Sequence, residues 1–270
     1  MKRSLFPFLT LCFCLAFFYL PLAVMTVGSF NNSRFGGAWR GFTLKYYQAL
    51  LRDRDVWICL ENTLVIAVTA TMVCMALGTA AAFALHHYRS KLQFIHQALV
   101  YAPLVIPEIL MGMSLLLFFV ALRVDLGMGT IFIGHVVFSM SYVALTVLGR
   151  LQDFDSTLMD AARDLGASAW TAVRKILLPL IAPGILAGGL LAFTLSLDDF
   201  VVTFFVSGTG SKTLPIYIYS SIKHGSPTKL NALSAILLAV TFLGAFISRL
   251  VAGRGERADR IVGSGGRRGF

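Results

Sequence analysis

Six stretches of this chain are apolar over about twenty residues or more, and they constrain its fold more than any other feature. They fall at residues 5–27, 57–85, 94–122, 130–148, 178–197 and 231–250. A helix of about twenty apolar residues crosses the ~30 Å hydrocarbon layer of a bilayer. Helices are expected because an unpaired backbone is too costly in lipid, and the alternating pattern of a barrel is absent. The composition agrees: 57% of residues are hydrophobic and only 13% charged, whereas a soluble domain carries about a quarter charged residues. The expected fold is therefore an all-α membrane protein of six transmembrane helices, one domain over residues 1–250.

An even number of spans puts both termini on one side, and basic residues say which. With the N-terminus inside, 14 of the 23 Lys and Arg lie in inner segments and 9 in outer ones. The inner residues mostly flank span ends, where the bias sets orientation. That accounts for the net charge of +10 without any nucleic-acid partner. The opening, with Lys2 and Arg3 before its apolar run, looks like a signal peptide. The run is far longer than the 7–15 residues of a signal core, so an uncleaved first span is expected. Residues 251–270 are rich in Gly and Arg with no apolar period, which suggests a disordered cytoplasmic tail near anionic lipid. Cys12, Cys14, Cys59 and Cys74 lie in or beside apolar stretches and read as small buried hydrophobes; no metal site is expected.

The inner connection, about residues 149–178, carries the most specific pattern. It reads Asp160-Ala161-Ala162, three residues, Gly166, nine residues, then Ile176-Leu177-Leu178-Pro179. Two alanines allow close approach of a helix to a partner, and Gly166 permits a sharp turn. Leu158, Ala162, Leu165 and Ala169 recur at helical steps, predicting one face that docks in a groove. This pattern resembles the coupling loop of permease subunits of bacterial ABC importers, with Asp160 where that family has Glu. The resemblance implies a type I importer permease fold in which Asp160, Ala161, Ala162, Arg163, Leu165 and Gly166 meet a cytoplasmic ATPase. The phosphate-loop look-alike at residues 207–213 (SGTGSKT) lacks the required glycine before Lys212 and falls outside. ATP and Mg would then be bound by the partner ATPase, and this chain would be neither an enzyme nor a holder of cofactors.

Narrower signals are the stretch Ser196-Leu197-Asp198-Asp199 and the Asn231-Ala232-Leu233 that opens the last span. These, together with most of residues 4–250, are similar to one permease subunit of spermidine/putrescine importers. An acid inside a membrane is costly and therefore a functional candidate. Asp198 and Asp199 toward the outer end, with Glu108 deeper and preceded by Pro103 and Pro107, form a candidate trail for ammonium groups. Asp199 or Asp198 capping the helix that follows is the bland alternative. Trp39, Phe42, Tyr46 and Tyr47 are candidate cation–π partners, although aromatics at an interface more often anchor. His135 reads as a hydrogen-bonded packing residue, and Gly184, Gly188 and Gly189 as a close-packing set. The resemblance implies a second permease subunit, two copies of the ATPase, and a periplasmic polyamine-binding protein, all at the bacterial inner membrane. A permease for another solute, such as a metal cation, and a self-sufficient secondary transporter are the alternatives.

Overall fold

The computed structural model describes residues 5–33, 36–88, 91–224 and 227–243. The chain divides into two compact units, Met1–Asp53 with Ser220–Phe270, and Arg54–Tyr219. All regular elements among the described residues are helical. In the first unit α1 (Leu5–Gly28) is followed by the short α2 (Lys45–Leu51). The second unit holds α3 (Arg54–His87), α4 (Gln93–Val105), α5 (Glu108–Ala121), α6 (Met128–Gln152), α7 (Thr157–Asp164), α8 (Ala169–Ala172), α9 (Leu178–Asp198) and α10 (Val201–Val206). The helix α11 (Leu214–His224) runs from the second unit into the first, and α12 (Pro227–Leu243) lies in the first.

Among the described residues four helices are long and apolar enough to cross a membrane: Phe6–Gly28, Arg54–His87, Met128–Gln152 and Ala169–Asp198. The expected span at 94–122 is broken instead into α4 and α5, which meet at 109°. Counting that pair as one span gives five. The break has a local cause. Pro103 and Pro107 both lack the N–H that would close the helical ladder, and each ring crowds the carbonyl four residues earlier. Ile106, ahead of Pro107, is accordingly extended, with φ −71° and ψ 129°. The expected sixth span meets only α12, a shorter apolar helix; residues 244–250 of that expectation, and the whole basic tail, lie outside the described residues.

The second unit is organised around α3, α6 and α9. One core gathers Cys74, Ala82, Val143, Val147, Leu151 and Ile181 from these three helices. A second joins Ile66, Met111, Phe119, Ile131, Phe138, Val202 and Val206, drawing α5 and α10 onto α3 and α6. Glycines set the spacing. A Cβ on Gly78 of α3 would stand 2.8 Å from Val143 Cβ, and one on Gly184 of α9 2.5 Å from Arg150 Cγ. Gly189 faces Met75 in the same way. The glycine set therefore serves close packing, since small residues let helix backbones approach where lipid supplies no hydrophobic drive.

Candidate functional site

The two adjacent acids sit at a second helix break and receive different surroundings. Asp198 ends α9 and is exposed, whereas the Asp199 side chain is only 6% exposed. Asp199 leaves the helix with φ −61° and ψ 117° and turns its carboxylate onto the start of α10. Its Oδ2 accepts the Thr203 backbone N–H at 2.8 Å and the Thr203 hydroxyl at 2.7 Å, and its Oδ1 accepts Val202 N–H at 3.3 Å. Those are donors that a helix start leaves without intrahelical partners.

His135, on α6, completes the arrangement. Its Nε2 lies 3.1 Å from Asp199 Oδ2 and 2.8 Å from Thr203 Oγ1, and its Nδ1 lies 2.6 Å from Ser196 Oγ. The Thr203 hydroxyl proton is already given to Asp199, and a carboxylate only accepts, so the pattern assigns the ring proton to Nε2. Nδ1 then accepts from Ser196. His135, Ser196 and Thr203 are buried, and the four side chains satisfy one another, as buried polar groups must. The expectation that His135 is a hydrogen-bonded packing residue describes this geometry.

Glu108 is exposed at the first residue of α5, directly after Pro107. It lies within electrostatic range of Asp198 and Asp199. One turn on, a Cβ at Gly112 would stand 2.7 Å from Phe205 Cδ2 and 3.4 Å from Val202 Cα, so α5 and α10 pack in close contact. The three acids thus gather where two helix breaks adjoin. Sequence reasoning named all three, but not their division into two exposed carboxylates and one whose oxygens are occupied.

The aromatic candidates belong to the first unit. Tyr46 is buried and carries the Lys45 ammonium 5.0 Å from its ring centroid. Tyr47 stacks on Phe30 at 5.1 Å and shares a hydrogen bond with Ser29, while Phe42 stacks on Phe30 from 5.4 Å. Trp39 is exposed. Three of these four rings therefore already have partners within the chain.

A separate surface forms around α7. Asp155 opens it, accepting Thr157 N–H at 3.0 Å; hydrogen bonds from the Thr157 side chain and backbone hold its carboxyl below the usual carboxylate range. The helix stops in a Schellman turn: Gly166 N–H reaches Arg163 O at 2.8 Å, and Ala167 N–H reaches Ala162 O at 3.0 Å. Gly166 takes φ +83°, the left-handed conformation glycine adopts without strain. Met159 and Ala162 turn toward the body of the unit. Ala162 therefore does not share an exposed face with Leu158, Leu165 and Ala169, contrary to the pattern read from the sequence. The exposed stripe is instead Leu158, Ala161 and Leu165, at steps of three and four. Leu165 is 89% exposed, and Trp170, absent from the sequence-based set, 68%. Asp160 and Arg163 are exposed beside it and approach to 3.9 Å, a pairing of little energetic weight in water. The chain then returns through a π-helical turn, Val173–Leu177, just before Pro179. At its end the Leu178 N–H bonds the Val173 carbonyl, five residues back.

The family model described as "Binding-protein-dependent transport system inner membrane component" matches residues 57–257. The spermidine/putrescine transport system permease protein PotC of Escherichia coli (strain K12) is 38% identical over 237 residues, 88% of this chain and 90% of that protein. The putrescine transport system permease protein PotI of the same strain is 38% identical over 264 residues, covering 94% and 93%. Among solved structures, a chain of a bacterial ABC transporter involved in import of the acidic polysaccharide alginate superposes with a TM-score of 0.72. It is 15% identical, over 92% of this chain and 98% of that one, a likeness of fold.

Proposed function

Because this chain belongs to the family of binding-protein-dependent transport system inner membrane components, we propose that it is one membrane-spanning subunit of an ATP-driven importer of polyamines, spermidine and putrescine among them. Its names-in-kind are transporters of those compounds. The observation that carries the reading onto this chain's own chemistry is that Glu108 and Asp198 are exposed acids at two helix breaks and within electrostatic range of each other. Spermidine and putrescine are flexible chains with several ammonium groups, each needing acceptors once its water is removed. Glu108 and Asp198 offer those acceptors, and Asp199 adds its charge from one residue behind. An oxyanion cargo would want the opposite sign.

The remaining parts follow the same reading. The chain makes six spans with both termini cytoplasmic. A second permease subunit supplies the other half of the pathway. Of two copies of a cytoplasmic ATPase, one receives α7 through Leu158, Ala161, Leu165 and Trp170, with Asp160 and Arg163 at the rim and Ala162 and Gly166 fixing the helix's seat and exit. A periplasmic binding protein delivers cargo to the outer segments, near Trp39. ATP binding closes the ATPases, α7 moves with them, and the spans open outward.

The test is uptake of labelled spermidine and putrescine by the full complex in transport-deficient cells, with the native chain and with Asp198→Asn plus Asp199→Asn. ATP-dependent uptake that falls at least tenfold per assembled complex supports the reading. A native complex that imports neither compound overturns it and redirects the search to another cation.

A further inference from the structure

The mechanism above uses Asp198 and Glu108 but leaves His135 without a task, although this buried ring meets three polar side chains. We propose that His135 is a positioning residue: through Asp199, Thr203 and Ser196 it latches the α9–α10 break onto α6 and so fixes where Asp198 stands. The proposal rests on the polyamine reading for its consequence in transport, but not for the latch itself.

Three observations carry it. First, the bonds of His135 straddle the break. Its Nδ1 meets Ser196 on the last turn of α9, and its Nε2 meets Asp199 in the link and Thr203 on α10. One imidazole therefore ties both sides of the bend to a third helix. Second, Asp198 is one residue from Asp199 and two from Ser196, so the chain is held by His135 on each side of the exposed acid. Third, the gap lined by His135, Ser139, Ser196 and Asp199 is too small to admit a water molecule. Solvent does not stand in for a missing partner there, so loss of the ring takes the side-chain partner from buried Ser196 and one of its donors from Asp199.

The geometry also explains why the two adjacent acids coexist. Asp199 has its oxygens committed to Val202, Thr203 and His135, and Asp198 keeps its own exposed. Latch and acceptor are thus separate residues. A direct role for Asp199 in binding cargo would require it to release those donors.

Two readouts on the full reconstituted complex decide the matter. The first needs no cargo. In a chain whose four cysteines are replaced by Ser, nitroxides are attached at Asp198→Cys and Gly149→Cys, the latter on α6 at a position where a Cβ meets nothing within 4 Å. The distance distribution between them is then recorded by pulsed electron paramagnetic resonance. With native His135 it is a single narrow peak, and His135→Gln, which keeps an N–H near the Nε2 position, preserves that peak. His135→Leu, which fills the space without a donor, broadens it or moves it by several ångströms. An unchanged distribution in His135→Leu overturns the latch.

The second readout is polyamine uptake per assembled complex, without the labels. His135→Leu lowers it about tenfold and His135→Gln recovers most of that loss. A broadened distribution with native uptake overturns the positioning role. If the native complex imports no polyamine, the functional reading fails while the distance measurement still tests the latch.

Discussion

Gly188 of α9 lies so close to Val143 of α6 that a Cβ built on it would stand 3.1 Å from the Val143 Cα. The obstacle is backbone, which yields only if a whole helix shifts. Val143 is fully buried and also receives Gly78 from α3, so three helices meet at one valine. Gly188→Ala gains about 1 kcal/mol of helix propensity but incurs an overpacking cost of about 1–3 kcal/mol. The net expectation is a lower melting temperature for the purified complex. Gly149→Ala, in the same bundle but open around its Cβ, is expected to be neutral or stabilising by about 0.4–1 kcal/mol. Equal melting shifts in the two variants would contradict the contact.

Gly166 ends α7 with a positive φ, and nothing crowds its Cβ position. Gly166→Ala therefore meets no clash, only the left-handed penalty of about 1–2 kcal/mol. Because α7 is the proposed coupling helix, that strain acts on its exit angle. The expected result is a complex assembled at near-native abundance whose ATPase is less stimulated by loaded binding protein. Gly166→Asn, which tolerates the conformation better, retains more stimulation than Ala; the reverse order would rule out a conformational cause.

The exposed stripe on α7 separates docking from folding. Leu165→Asp places a charge on a residue 89% exposed in this chain, so the permease itself folds as before. Co-purification of the ATPase subunit is expected to fall about tenfold or more. Ala162→Leu enlarges a buried side chain instead and is expected to lower the abundance of the permease. Normal ATPase recovery with Leu165→Asp would remove this stripe from the interface.

Asp198→Asn and Asp199→Asn give the same nominal change with different outcomes. The exposed Asp198 is expected to lose uptake about tenfold while melting as the native complex does. At Asp199, an amide turns one N–H₂ toward the donors of Thr203, Val202 and His135, leaving buried groups unpaired at about 1–3 kcal/mol. That variant is expected to lose thermal stability as well. Matching stability profiles would show the two acids to be equivalent after all.

Much of the architecture was legible from residue types alone. Apolar length marked the first, second and fourth spans within a few residues of Phe6–Gly28, Arg54–His87 and Met128–Gln152, and the fifth matched α9 but missed the turns from Ala169 that lead into it, because the bilayer demands length and apolarity and little else. Pro103 and Pro107 account for the kink locally, but not for its 109°. That angle is set by how α4 and α5 pack on neighbours far away in sequence. The pair Asp198–Asp199 was visible as an anomaly, yet its division was not. At a helix end, which of two adjacent side chains turns inward depends on the residue where the chain leaves α, and that residue is fixed by His135, more than sixty positions earlier. Ala162 was assigned to the docking face by periodicity, which reports that a helix has an apolar side but not which apolar residues its own chain will claim. Trp170 lies beyond the turn at Gly166, where the period restarts and the phase is lost.

The break before Pro107 makes one stretch of chain behave as two levers on different fulcrums. The arm before it, α4, rests mainly on α6, and the arm after it, α5, mainly on α10. An unbroken helix would transmit a tilt from one leaflet to the other. Here the extended Ile106 and Pro107 separate the two arms, so a tilt of α4 need not carry Glu108 away from the α9–α10 break.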